Sequence, residues 1–183
     1  MLGGFIWLLI EAVLIFIPVI GEIIDGLLLP VAYTGFVLAA QVIEQDEKPN
    51  IKTLFLGITK PELLLPVLSL GVSIVLYEVL ALLLIMVIGP IGVALFALPM
   101  GVILFAALVF AVPAVALDGY SAWAALKLSF TKAGENVSAL LMVYLVFLGF
   151  MVLSVISFGI ALIAILPLIC CSFYVGYRAV MAN

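Results

Sequence analysis

Six long apolar stretches, at about 2–18, 22–43, 63–88, 92–117, 138–157 and 160–178, alternate with short connections along the chain. Each approaches or meets the ~20 residues that a helix needs to cross the ~30 Å hydrocarbon layer of a bilayer. Strands of a membrane barrel would show about ten residues of alternating polarity between turns, and no stretch alternates in that way. The pattern predicts an all-α integral membrane protein. Three connections are very short: Pro18-Val19-Ile20-Gly21, Gly89-Pro90-Ile91 and Phe158-Gly159. Gly and Pro in them supply chain reversals, which predicts six transmembrane helices arranged as three hairpins in a single domain. The opening Met1-Leu2-Gly3-Gly4 has no basic segment, and no small-x-small cleavage site precedes a polar segment. The first stretch therefore reads as a retained span.

The two longer connections resemble one another. Ile51-Lys52-Thr53-Leu54-Phe55-Leu56-Gly57-Ile58-Thr59-Lys60 aligns with Trp123-Ala124-Ala125-Leu126-Lys127-Leu128-Ser129-Phe130-Thr131-Lys132 at a constant offset of 72. Pro30, Pro99 and Pro167 recur early in the second helix of each hairpin, 69 and 68 residues apart. Together these describe a weak internal repeat of about 70 residues. Positions 51, 54, 55 and 58 share a helical face, as do 123, 126 and 130, with Asn50 and Ser121 as N-caps. A short amphipathic helix lying along the inner membrane surface is expected in each connection.

Charge orients the bundle. Lys48, Lys52 and Lys60, then Lys127 and Lys132, then Arg178, all fall on one side of the predicted spans, and the short links carry no Lys or Arg. Positive segments resist translocation, so this asymmetry places both termini in the cytoplasm of a multi-pass protein. Composition agrees: 69% of residues are hydrophobic and 9% charged, with mean hydropathy +1.57, far beyond what a water-soluble fold tolerates. Membrane lipids are the expected surroundings, and nothing points to nucleic acid. Cys170 and Cys171 are adjacent in an apolar run and do not reveal the redox compartment.

Candidate chemistry lies in the polar residues within the spans. Glu11 and Glu78 are deep, and Glu22 and Asp25 stand near the outer end of the second span. An intramembrane acid is costly when charged, so it is expected to face the bundle, be protonated, or meet a cation. At ~1.5 Å per residue all four fall in the middle to outer part of the bilayer, where they would line one vestibule. Thr34 and Gln41 share a face of the second helix; Ser69, Ser73 and Tyr77 stack on the third; Trp7 lies one turn from Glu11. These give a candidate polar or ion site of Glu11, Glu78, Glu22, Asp25, Tyr77, Thr34 and Gln41. Helices four to six contain no acid or base until Arg178. Packing offers a second reading of each acid: carboxylates favour a helix N-terminus, and a neutral carboxyl can join neighbouring helices by hydrogen bonds.

Enzyme readings fare poorly. The chain has no histidine, which excludes a Ser-His pair and any His-containing metal site. Asp25 is the only aspartate within a predicted span, no Gly-rich phosphate loop appears, and Lys127 and Ser129 face away from each other. No catalytic residue, cofactor or metal is expected. Asn136-Val137-Ser138 matches a glycosylation site but falls on the inner side. Two functions remain: a structural, assembly or accessory subunit that binds another membrane protein or lipid, or a small transporter or channel using Glu11 and Glu78.

The runs Val112-Pro113-Ala114-Val115-Ala116-Leu117 and Ala124-Ala125-Leu126-Lys127-Leu128-Ser129-Phe130, with Asn136, Leu166-Pro167, Tyr174 and Tyr177-Arg178, resemble a bacterial inner-membrane family of hypothetical transmembrane proteins. Lys48-Pro49 followed by Leu54-Phe55-Leu56-Gly57 fits the same pattern. The family is similar to YciC-type proteins and to the membrane domain of some glycerophosphodiester phosphodiesterases. The resemblance implies a six-helix inner-membrane bundle and transfers no functional residue.

Overall fold

The computed structural model describes residues 2–14, 16–157 and 160–182. Among these there are helices and turns but no strand. The order is α1 (Leu2–Leu14), α2 (Ile20–Glu44), a 3-10 turn (Ile51–Phe55), α3 (Leu56–Thr59), α4 (Pro61–Ile88), α5 (Pro90–Gly92), a π-turn (Val93–Ala97), α6 (Leu98–Leu108), α7 (Ala111–Asp118), α8 (Ala122–Glu135), α9 (Val137–Ile156) and α10 (Leu162–Met181). Among the described residues five stretches are long and apolar enough to cross a membrane: Ile20–Glu44, Pro61–Ile88, Pro99–Asp118, Val137–Ile156 and Ile163–Met181.

The first apolar stretch yields a shorter helix than its length suggests. α1 has 13 residues, about 20 Å at ~1.5 Å per residue, because the chain turns back over residues 16–19. Gly21 then packs so tightly on the last turn of α1 that a Cβ there would lie 2.1 Å from the Leu14 carbonyl oxygen. The reversal after α4 begins at Gly89, whose φ of 72° suits glycine. The link Phe158-Gly159 lies outside the described residues.

α2 is the hub and touches α1, the 51–59 segment, α4, α7 and α10. Lipid tails are as apolar as Leu, so helices in a bilayer associate through close van der Waals contact rather than hydrophobic expulsion. α2 supplies that contact with small residues at Gly21, Gly26, Gly35, Ala39 and Ala40, all buried. Val31 between them, with Val67, Leu70, Val112 and Val115 from α4 and α7, forms a tightly packed interior, and Val37 packs with Ala40 and Tyr174. At the other extreme, the described side chains that α9 turns inward are Leu140, Tyr144, Phe147, Phe150 and Ser154. Its outward residues, such as Val155 at 78% exposure, form an apolar surface that suits lipid.

The two longer connections fold back against the bundle. In the first, the Leu54 backbone lies against Gly35, where any Cβ would sit 2.2 Å from the Leu54 oxygen, and Gly57 meets Thr34 and Val31. In the second, α8 runs back along α7 and α6. Ser129 meets Phe110 and Ala106, and Ala133 and Gly134 share a small cleft with Val102 and Ile103. The face of α8 turned inward is Ala125, Ser129 and Ala133; Trp123 and Phe130 of the expected apolar face stay 69% and 54% exposed. Small residues allow α8 to approach closely, and the bulky ones are left for lipid. In the first connection, Leu54 is buried as expected, whereas Ile51 and Ile58 are exposed. The Asn50 side chain caps this segment by accepting from the Lys52 amide at 3.2 Å; Ser121 makes no such bond.

Contacts made by the two connections can be compared at the offset of 72, although the first is a 3-10 turn with a short helix and the second a single helix. Gly57 and Ser129 are equivalent, as are the residues they meet, Thr34 and Ala106. Thr59 donates its hydroxyl to the Phe55 carbonyl and Thr131 to that of Lys127, both at 3.0 Å.

Candidate functional site

A cavity of about 560 Å³ lies between α1, α2, α4, α6, α7, α9 and α10. Pro30 and Tyr33 of α2, Ile74, Tyr77 and Glu78 of α4, and Gly101, Leu104 and Phe105 of α6 form much of its wall. Glu11, Phe147, Ile165, Ile169, Cys170 and Phe173 also line it. Its body is apolar and aromatic. Phe105 packs with Phe147 and Phe173 at ring-centroid distances of 6.2 and 5.7 Å, and Tyr33 with Phe173 at 5.7 Å.

Its acidic groups are gathered at one end. The Glu78 carboxylate lies against Gly26, where a Cβ would approach Oε2 to 2.8 Å. Gly26 is about 27 Å along α2 from Glu44 at ~1.5 Å per residue. Glu11 lies within electrostatic range of Asp25, and Glu78 of both Asp25 and Glu22. Among the described residues none of these four carboxylates has an ion-pair partner, and no three ligating side chains are grouped to hold a metal.

The wall contributed by α6 is bounded by an interruption at each end. Before it, Pro99 withdraws a backbone donor and the chain makes the π-turn Val93–Ala97. Tyr77 reaches this turn and donates to the Ala97 carbonyl at 3.2 Å, which requires Gly101, because a Cβ there would come within 2.9 Å of the Tyr77 oxygen. After it, Pro113 leaves the Val109 carbonyl without its usual amide partner. Tyr33 supplies the missing donor, its hydroxyl 2.7 Å from that oxygen. Next to it, Ser129 enters the ladder of α6: its Oγ accepts from the Phe110 amide at 3.1 Å and donates to the Ala106 carbonyl at 2.8 Å. An inserted side chain of this kind is an identifiable cause of a helix break.

Of the residues singled out in the sequence, Glu11, Glu78 and Tyr77 line the cavity, with Asp25 and Glu22 beside its carboxyl end. Thr34 is not part of it: it is fully buried against Gly57, and its hydroxyl has no partner among the described residues. Gln41 lies on the far half of α2, away from the lining. Ser69 and Ser73 turn back on their own helix, to the Leu65 and Leu70 carbonyls. Trp7 stacks on Phe55 at 6.0 Å and stands apart from the cavity.

The contacts of Tyr33 and Ser129 with the α6 backbone were not foreseen from the sequence, although Pro113, four residues after Val109, marks a carbonyl in need of a donor. A second polar layer was also missed. Tyr174 donates its hydroxyl to Glu44, and Tyr177 to Asp118, while Arg178 stands 3.8 Å from Glu44. These contacts tie the ends of α2, α7 and α10 together. The only signal for them was two tyrosines near the end of an apolar run.

No protein family, curated protein or solved structure matches the chain.

Proposed function

We propose that this chain is a non-catalytic bacterial inner-membrane protein that holds an amphiphile in its central cavity, acting as an accessory or assembly subunit. It passes the membrane in six segments arranged as three hairpins with both termini cytoplasmic, α1 being the short member of the first hairpin. Basic residues confined to one set of connections support that orientation, and the resemblance to YciC-type membrane proteins is in keeping with it. The cavity is the observation that carries the functional reading. At about 560 Å³ it falls within the ~300–1,000 Å³ of small-molecule sites, and an apolar wall with a few convergent polar groups is how such sites recognise ligands. Native mass spectrometry of protein extracted in a mild detergent tests it. Wild type should retain a bound amphiphile, and Ile169→Trp, which places bulk in the cavity, should release it. An empty wild type with an unchanged Ile169→Trp spectrum rejects the reading.

A transporter is the second reading, favoured by the interrupted helix at the cavity wall, an arrangement common where helices line a substrate path. Proton or cation flux into proteoliposomes, lost in a stably folded Glu11→Gln or Glu78→Gln protein, would select it, because an amide can neither release the proton nor supply the charge. Orientation is open to cysteine labelling in a Cys-less background. Cysteine at the exposed Ile91 should react with an impermeant reagent outside the cell, and cysteine at the exposed Glu47 should not.

A further inference from the structure

We propose that the ligand of the cavity is a lipophilic cation: an amine or quaternary ammonium on an apolar, ring-bearing body. This rests on the reading of the cavity as a binding site and adds the chemical class of its occupant. Three features converge on it. Glu11 and Glu78, from different helices, face the same cavity, with Asp25 and Glu22 close by as further acids. No Lys or Arg lines the cavity to neutralise them, and the chain has no histidine. A carboxylate held in a low-dielectric site gains most from an opposite charge within a few ångström. The rest of the wall carries the rings of Tyr33, Tyr77, Phe105, Phe147 and Phe173, whose π faces attract cations and whose area buries an apolar body. A phosphate headgroup at the carboxyl end would meet like charge, which disfavours anionic phospholipid as the occupant.

Isosteric ions of opposite sign separate charge recognition from simple lipophilicity. Equilibrium binding of tetraphenylphosphonium and of tetraphenylborate should be measured on the full chain in neutral detergent, with binding to the Ile169→Trp protein subtracted as the cavity-independent background. Tetraphenylphosphonium should bind saturably and at least about tenfold more tightly than tetraphenylborate. The double variant Glu11→Gln, Glu78→Gln, close in size to wild type, should lose about tenfold or more of its phosphonium affinity and gain none for borate. Equal binding of the two ions by wild type overturns the proposal, and that comparison does not depend on how any Gln variant folds. Phosphonium binding that persists unchanged in a folded double variant overturns it as well. If wild type ignores both ions yet still retains an uncharged amphiphile that Ile169→Trp releases, the cation proposal falls and the cavity reading stands. If nothing is bound in any form, both fall.

Discussion

Gly57 and Ser129 occupy equivalent positions in the two connections, and each meets an equivalent residue of the helix before it, Thr34 in one case and Ala106 in the other. The fastenings differ. Around Gly57 the chain is held by backbone approach, with Leu54 seated on Gly35 and no side chain between them. Around Ser129 it is held by a hydroxyl that replaces one bond of the α6 ladder. Helices in lipid have two means of association, intimate packing and hydrogen bonds, and the two connections use one each. The consequence concerns the cavity. Close packing leaves α2 as one continuous helix past Pro30, whereas the inserted hydroxyl, with Tyr33 on the neighbouring carbonyl, accompanies the break between α6 and α7 at the cavity wall. One half therefore provides a fixed support and the other an interrupted wall.

Substitutions at equivalent positions can break this contrast. The largest effect should come from Gly35→Leu, whose Cβ alone would fall 2.2 Å from a backbone oxygen that cannot move aside. Overpacking of this sort costs about 1–3 kcal/mol or more. Expulsion of the 51–59 segment should appear as poor accumulation and a lowered melting temperature. Ala107→Leu, the equivalent change in the second half, falls at a half-buried position and should be well tolerated. Equal damage from the two would dissolve the distinction.

Next in size is Leu54→Gln, which removes a buried apolar side chain worth roughly 1.5–3 kcal/mol. Trp123→Gln, on the outward face of α8, should change thermal stability little; a larger loss from Trp123 would mean that α8 packs by its bulky face. Smaller still is Ser129→Ala. Loss of a net hydrogen bond is worth about 0.5–1.5 kcal/mol, partly offset because the Phe110 amide can then bond directly to Ala106. Gly57→Ala, whose new Cβ would sit 3.4 Å from Thr34 in ordinary contact, should be close to neutral in the same melting assay. The comparison sharpens further if Ser129→Ala also alters amphiphile retention while Gly57→Ala does not.

Apolar run length and turn residues were enough to find the helical class, because each is a local property of the chain. α1 was overestimated, since an apolar run continues through a turn as readily as through a helix. The face that α8 turns inward was missed for a related reason. Periodicity marks Trp123, Leu126 and Phe130 as one apolar face, but lipid accepts apolar residues on any side, so close approach by Ala125, Ser129 and Ala133 decides the packing. Glu11 and Glu78 could be picked out because acids are rare in such runs. That Tyr33 would serve a carbonyl freed by Pro113, or that Thr34 would sit outside the site, depends on contacts 76 residues apart in one case and on a folded-back connection in the other, and neither leaves a trace in local pattern.

A density map of the full chain in lipid nanodiscs, with a rigid binding partner added for size, would show whether the cavity is occupied. Ordered density is expected within it, alongside Pro30, Phe105 and Phe173 and ending between Glu11 and Glu78. A cavity closed by inward collapse of Phe105 and Phe173, with the two carboxyls packed only against neighbouring helices, would contradict that expectation.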